Sequence, residues 1–430
     1  MDRRNFLEAL PLSMSALSLG KTSGLASNSN SGRADAADSA LPPGVNYFTR
    51  EKMEKLVNTS VPLHGIPFEA VAFNFPNYHP CPNQEKYSGK GWTEWELMKR
   101  AKPMFEGHLQ PKYPLWGYYN EADPAWAEQE IEAASSHGIS VFAVDWYWYN
   151  GTQVLQEQLE QGFLKARNRS KMCFAIMWAN ISWRFQYPPP DSASGYNDCS
   201  VLYEQTYSET DMDRITDYWI EHYFREPNYW QIDGQPVVQI FDVVGILKSF
   251  GEEKLRKVLD RVRDRVARAG LKGVHLQAAL VYVPGETPLK SLGFDSATHY
   301  HTFGGAGTGK IIDYTVGVEH SIGFWKETAR KLDIPYFPDC PAGWDDSPRY
   351  TTHSRVFVHR SPDQYELFLE AAKYFLAERK TQPPIVFLSS WNEWTEDHCL
   401  APDAVYGYSY LKAIRRQFVS SRPSTDFPPH

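Results

Sequence analysis

Residues 384–398 read PIVFLSSWNEWTEDH. Ile385 to Leu388 form an unbroken apolar run with no alternation, the pattern of a strand buried on both faces. Two tryptophans and two glutamates follow within six residues: Trp391, Glu393, Trp394 and Glu396. Carboxylates are rarely buried unless paired or hydrogen-bonded. A buried strand that opens at once into this cluster predicts a chemical site at its carboxyl end.

Seven similar runs precede it. They are AVAFNF (70–75), ISVFAVDW (139–146), MCFAIMW (172–178), PVVQIF (236–241), VHLQAAL (274–280), DSATHYH (295–301) and IPYFPD (334–339), with PIVFLSS (384–390) as the eighth. Amphipathic stretches lie between them, at 123–138, 152–167, 211–224, 252–270, 316–332 and 361–380. Several open on an Asp or Ser cap and close on Gly. Eight strands alternating with helices predict an α/β fold: a single (β/α)8 TIM barrel with long loops on the carboxyl face of the strands. A doubly wound open sheet would ask for a Gly-rich phosphate loop or an edge strand, and neither is evident. No repeat of 20–50 residues is present.

The barrel is assigned to residues 41–430, and residues 1–40 to an export signal and flexible linker. Arg3 and Arg4 stand ahead of Phe6-Leu7 and a mildly apolar stretch, a pattern similar to a twin-arginine export signal. The stretch is too short to span a membrane. Residues 21–40 are small and polar, as in a cleavage region and linker. The expectation is an exported chain, periplasmic or secreted, with no integral membrane segment.

With 44 basic and 52 acidic side chains the net charge is −8, which argues against a nucleic-acid partner. The excess is aromatic: 14 Trp, 25 Tyr and 23 Phe. Many cluster at the ends of the apolar runs, where flat rings suit stacking on sugar faces. The five cysteines, at 81, 173, 199, 340 and 399, show neither CxxC nor metal-like spacing. One disulfide is compatible with them but not assignable. Oligomeric state is not readable.

In a barrel, active-site residues sit just past the carboxyl ends of the strands. Those positions hold Tyr78 and His79, Asp145 and Trp146, Trp178 and Asn180, His299 and Tyr300, Trp344 and Asp345, and finally Trp391, Asn392, Glu393, Trp394 and Glu396. A polar and aromatic cluster after nearly every strand is the pattern of a carbohydrate cleft. Glu393 and Glu396 are the expected catalytic pair. On a helical turn an i,i+3 pair holds its Cβ atoms ~5–6 Å apart. Retaining glycosidases separate their carboxyl groups by ~5–5.5 Å and inverting ones by ~6.5–9.5 Å, so the spacing leans towards retention. The remaining residues named here are the expected sugar binders. Glu94, in GWTEW (91–95), could equally reach the cleft or cap a helix. His299 and His301 could pair on a metal, but no partner set of His and Asp stands at the other strand ends. No metal or cofactor is expected.

Four motif regions make the sequence resemble the WbsX-like proteins, which are similar to glycoside hydrolase family 99. They are FPNYHPCPNQEKYSGKGWTEWELMKRAKPMFEGHLQP (75–111), VFAVDWYWYNG (141–151) with CFAIMWANISWR (173–184), DCPAGWDDSPR (339–349), and SSWNEWTEDHCLAPD (389–403) with YGYSYLKAI (406–414). The resemblance implies a (β/α)8 barrel acting on glycosidic bonds, with α-mannosides the best-known substrates. It places the catalytic pair in NEWxE, at Glu393 and Glu396. It implies that Glu393 withdraws the proton of the sugar's own 2-hydroxyl, which attacks the anomeric carbon, and that Glu396 acts as acid and then base. The ordinary covalent retaining route stays open. After NEWxE the family usually carries a glycine and a later glutamate, where this chain has Asp397, His398, Cys399, Leu400 and Ala401. A glycosyltransferase of cell-surface polysaccharide assembly is one alternative. The only Gly-rich stretch, GGAGTGK (304–310), lacks P-loop spacing. A non-catalytic glycan-binding barrel is the other.

Overall fold

The eight apolar runs pair side by side into a ring of parallel strands. A computed structural model describes residues 44–184, 201–281, 283, 287–350 and 354–419. The expected export signal and linker over 1–40 lie outside the described residues. The chain divides into two units, Met1–Asn46 and Tyr47–His430, and the ring belongs wholly to the second.

The strands are β1 (Glu69–Asn74), β2 (Val141–Tyr149), β3 (Cys173–Trp178), β4 (Gln235–Ile240), β5 (His275–Ala279), β6 (Ser296–Thr298), β7 (Tyr336–Phe337), β8 (Asp339–Pro341) and β9 (Ile385–Ser389). From β1 to β7 each strand pairs in parallel with the next, and β9 lies between β8 and β1. β7 and β8 are two pieces of one crossing. Pro338 separates them, because proline has no N–H to give to a ladder. Its carbonyl still accepts from Phe387 N at 2.9 Å. The nine segments therefore form a nearly closed TIM barrel, as the alternation of runs and helices predicts.

Helices cover the outside. They include α1 (Pro124–Ser136), α2 (Glu209–His222), α3 (Glu252–Arg268), α4 (Tyr314–Lys331), α5 (Pro362–Ala377) and α6 (Ser409–Phe418). Asp123, Ser208 and Ser361 accept a backbone N–H at the starts of α1, α2 and α5, satisfying otherwise orphaned donors. The stretch 152–167 departs from the expected helix. β2 runs on to Tyr149 and turns at Asn150-Gly151, both at positive φ (48° and 94°). That turn sends Thr152–Val154 back antiparallel along β2. Only a π turn (Gln158–Gly162) and a 3-10 turn (Phe163–Lys165) follow.

All nine residues of β2 are buried, and strand periodicity sorts them. Trp146 and Trp148 face the helices, donating to Tyr223 Oη at 3.0 Å and to Asp211 at 3.1 Å. Asp145 and Tyr147 take the other face, where both act electrostatically on Tyr300. Of the five cysteines, Cys81, Cys173, Cys340 and Cys399 are free thiols, and Cys199 lies outside the described residues. Among the described residues no helix is long and apolar enough to cross a membrane.

Candidate active site

β9 ends in a small hairpin of β10 (Asn392–Glu393) and β11 (His398–Cys399), joined by a 3-10 turn over Trp394–Glu396. Asn392 ties this hairpin to the end of β1. Its Oδ1 accepts from Phe75 N at 2.7 Å, and its Nδ2 donates to Phe75 O at 2.9 Å and Glu121 Oε2 at 3.2 Å. Trp391 N adds a bond to Phe73 O at 2.7 Å. The turn closes on Asp397 at φ 56°, a left-handed conformation that Asp tolerates better than most residues. The Asp397 carboxylate is held by the buried Lys112 and Arg360. These two cations offset the cost of a side chain where the resembled family has glycine.

Glu393 and Glu396 emerge together, each 3% exposed. One oxygen of each carboxylate and one ring nitrogen of His398 lie within 4.8 Å of one another. Every carboxylate oxygen of the pair has a partner. Arg349 Nη2 donates to Glu393 Oε1 at 2.8 Å, and its Nη1 donates to Glu396 Oε1. The Tyr300 hydroxyl donates to Glu393 Oε2 at 3.3 Å. His398 Nε2 meets Glu396 Oε2 at 3.0 Å. Arg349 Nε also donates to Glu94 Oε1 at 2.8 Å, and Asn77 and Thr395 donate to the same fully buried carboxylate. One guanidinium thus neutralises part of a three-glutamate cluster.

Burial pushes Glu393 up to about 8; Arg349 opposes the rise, and Glu396 and Glu94 reinforce it. Two like charges this close cannot both ionise freely, so the pair holds one proton near neutral pH. Burial and then Glu396 raise nearby Asp346 to about 8 as well. Burial holds His301 well below the ordinary histidine value, and it is neutral.

The structure brings some sequence-predicted residues to this cluster and leaves others elsewhere. Tyr300 touches Glu393, and Asp145 acts on Tyr300 from the same face of the barrel. Half-buried Trp344 lies parallel to the His398 ring, 5.4 Å between centroids, with His301 4.4 Å from Trp344. Tyr78 and His79 sit behind the hairpin. Tyr78 Oη accepts from Trp394 N at 2.9 Å, and His79 bridges Glu121 and Glu157 at 3.0 and 3.2 Å. Burial lowers His79, but the two glutamates outweigh it and raise it to about 9, so the imidazolium is a fixed charge there.

Asp345 accepts from His108 at 2.8 Å and Gln110 at 2.6 Å, which anchors its loop. Trp391 packs on Phe142 and donates to Glu130 at 2.9 Å, while Trp394 packs on Trp95. Trp146 and Trp178 pack on Trp219 of α2, and Asn180 bonds Tyr207 and the backbone of Asp242. His299 bonds Tyr336 at 2.8 Å and packs on Phe324 of α4. These seven line core contacts rather than the carboxylate pair. Arg349 and His398 are the members of the carboxylate cluster that the sequence reading missed. Glu94 reaches the cluster and makes no side-chain cap.

Among the described residues, Glu393, Glu396 and His398 form a group that could hold a cation. Arg349 already places a positive charge on both glutamates, which disfavours a divalent ion there.

Comparisons with known proteins bear on this geometry. The protein WxcX of Xanthomonas campestris pv. campestris strain B100, itself uncharacterized, is 28% identical over 364 residues, covering 82% of this chain and 50% of WxcX. WxcX of strain ATCC 33913 matches to the same extent. The chain spans about half the length of these curated relatives. Among solved structures, a glycoside hydrolase-like protein superposes with a TM-score of 0.55 at 14% identity, over 85% of this chain and 98% of the other. The GH99 endo-alpha-mannosidase from Bacteroides thetaiotaomicron, in complex with bis-tris-propane, gives 0.51 at 15% identity, over 82% and 97%. At these identities the likeness is one of fold. The model of the family described as glycosyltransferase WbsX matches residues 70–414, the whole barrel with its carboxylate cluster, and this chain belongs to that family.

Proposed function

We propose that the chain is a glycoside hydrolase that cleaves α-mannoside-like linkages in a poly- or oligosaccharide with retention. The observation that carries this reading is the buried pair Glu393 and Glu396 at the carboxyl end of β9, with oxygens within 4.8 Å. That separation is shorter than the ~6.5–9.5 Å an inverting pair needs for its water. The GH99-like barrel supports the same class of chemistry.

The hydrogen bonds support a division of labour. Arg349 spans both Oε1 atoms. A glycosidic oxygen arriving at Glu396 Oε1 replaces Arg349 Nη1, while Arg349 keeps Glu94 and Glu393. Losing the cation makes Glu396 the better proton holder; keeping it lets Glu393 ionise. The shared proton then sits on Glu396, the acid for the leaving oxygen. Ionised Glu393 is a strong base for a carboxylate, because burial has raised its conjugate acid. It withdraws the 2-hydroxyl proton as that oxygen attacks the anomeric carbon, while Glu396 gives its proton to the leaving oxygen as that bond breaks. Glu396 then takes a proton from the water that opens the anhydrosugar, and Glu393 returns its proton to the 2-oxygen. Tyr300 steadies Glu393 throughout. Trp344 is the half-buried ring placed to stack on a sugar.

The family's description favours a second reading, transfer from a sugar nucleotide. A diphosphate needs cations, yet among the described residues near the pair Arg349, Lys112 and Arg360 are each engaged by carboxylates, and Arg355 by the carbonyls of Gly304 and Ala306. One experiment separates the readings: the purified chain is offered α-mannans and other microbial polysaccharides, and separately sugar nucleotides with acceptor glycans. Reducing-sugar release without nucleotide supports hydrolysis. Nucleoside diphosphate release that depends on acceptor sinks it. Export through residues 1–40 belongs to the same proposal. It is tested by cell fractionation of the wild type and of Arg3→Lys/Arg4→Lys; cytoplasmic retention of the wild type would refute it.

A further inference from the structure

His398 touches Glu396 on one side and Ser390 on the other. Its Nε2 lies 3.0 Å from Glu396 Oε2, and its Nδ1 lies 2.9 Å from Ser390 Oγ. All three residues are buried, His398 and Ser390 completely. The backbone reinforces the arrangement, since Ser390 N donates to His398 O across the hairpin. The ring packs on Trp344, 6° from parallel, and on His301, 4.9 Å away and itself in contact with Trp344. The charged and titratable groups near it include Glu396, Arg349 beyond Glu396, and His301 and Tyr300 from the end of β6.

A neutral imidazole has one N–H, and the partner of the other nitrogen fixes which one carries it. If Nδ1 carried the hydrogen, the Nε2 lone pair would face an ionised Glu396. If Nε2 carries it, Ser390 donates its hydroxyl to Nδ1 and His398 donates to Oε2. This second tautomer satisfies Glu396 whether or not Oε1 is protonated, so no proton on the ring has to move during turnover.

We propose that His398, fixed as the Nε2–H tautomer by Ser390, is the positioning residue of the general acid: it occupies Glu396 Oε2 and reserves Oε1 for proton exchange with the glycosidic oxygen. Oε1 is the oxygen that Arg349 covers. The proposal rests on the hydrolase reading and deepens it.

The test has two arms. The first is kinetic, on wild type, His398→Leu and His398→Gln with an α-mannan and with 2,4-dinitrophenyl α-mannoside. Loss of a positioned acid costs roughly 10²-fold or more when the leaving group is a sugar. A dinitrophenolate leaves without a proton, so its release should stay within about threefold. His398→Gln, which keeps an N–H donor, should recover part of the sugar-leaving rate. Equal losses on both substrates, or no loss on the mannan, would overturn the proposal. The second arm is the side-chain 15N spectrum of His398 at neutral pH, assigned by its disappearance in His398→Gln. The expected result is a protonated Nε2 and a bare Nδ1, with that preference weakened in Ser390→Ala; a protonated Nδ1 overturns the proposal. This arm needs no activity. A wild type that cleaves no glycoside therefore defeats the hydrolase reading separately, while the spectrum still decides the tautomer.

Discussion

Replacing Arg349 with methionine removes the one cation that Glu94, Glu393 and Glu396 share. All four side chains are nearly inaccessible, at 0–4% exposure. Breaking a buried ion pair on one side costs about 3–5 kcal/mol, because the remaining charge has no compensation. Unfolding entropy of ~2.1 cal/mol/K per residue over the roughly 350 described residues is about 0.7 kcal/mol/K, so that loss lowers Tm by about 4–7 °C. The loss depends on pH in a defined direction. Glu393 already has a folded-state value raised from 4.5 to about 8, so its folded form binds more protons than its unfolded form across that window. Stability from such a group is fully present below pH 4.5 and falls as pH rises through 8. Without Arg349, which opposes the rise, Glu393 goes up further. The gap between wild type and Arg349→Met should therefore be largest near pH 8 and narrow or invert near pH 4.5, where protonated glutamates leave the wild-type guanidinium without an ionised partner. Thermal unfolding of both proteins across pH 4.5–8.5 measures it. A constant gap, or a variant as stable as wild type at pH 8, would refute the shared-cation argument.

Other expectations follow from neighbouring contacts. Glu130, raised to about 8 by burial and by Glu121, accepts from Trp391 and Tyr119, and a glutamine oxygen can accept both. Glu130→Gln should fold normally and flatten the decline of stability between pH 4.5 and 8; an unchanged slope would contradict the burial argument. Asp397→Asn keeps a residue suited to φ 56° but strands Lys112 and Arg360, at a cost of about 3–5 kcal/mol. Asp397→Ala should lose about 1–2 kcal/mol more from left-handed strain, read by chemical denaturation of both variants. Dialysis against EDTA should leave hydrolysis unchanged, since Arg349 supplies the positive charge at Glu393 and Glu396; activity restored only by a divalent ion would assign the cluster of Glu393, Glu396 and His398 to a metal.

The barrel was legible because strands buried on both faces leave unbroken apolar runs, as Ile385–Leu388 do. The carboxylate pair was legible because two glutamates at a buried strand end demand partners. The hairpin at Asn150-Gly151 was also written in the sequence, but the helical spacing of 152–167 obscured it. The tryptophans were harder. Trp146 and Asp145 are adjacent, yet strand alternation sends one to α2 and the other towards Tyr300, and no local pattern tells which face is which. Arg349 was out of reach for a different reason: its partners lie 255, 44 and 47 residues away, and a lone arginine in a loop carries no periodic signal. His398 left a faint trace, as the residue just past the position where the resembled family has glycine.

The central claim is that Glu393 and Glu396 together break a glycosidic bond. Its most direct test is turnover by Glu393→Gln and Glu396→Gln on a polysaccharide that the wild type cleaves, with glycan affinity measured by calorimetry on the same samples. Both variants should bind as the wild type does and lose roughly 10²–10⁴-fold in rate. Rates that survive either substitution would place the chemistry elsewhere.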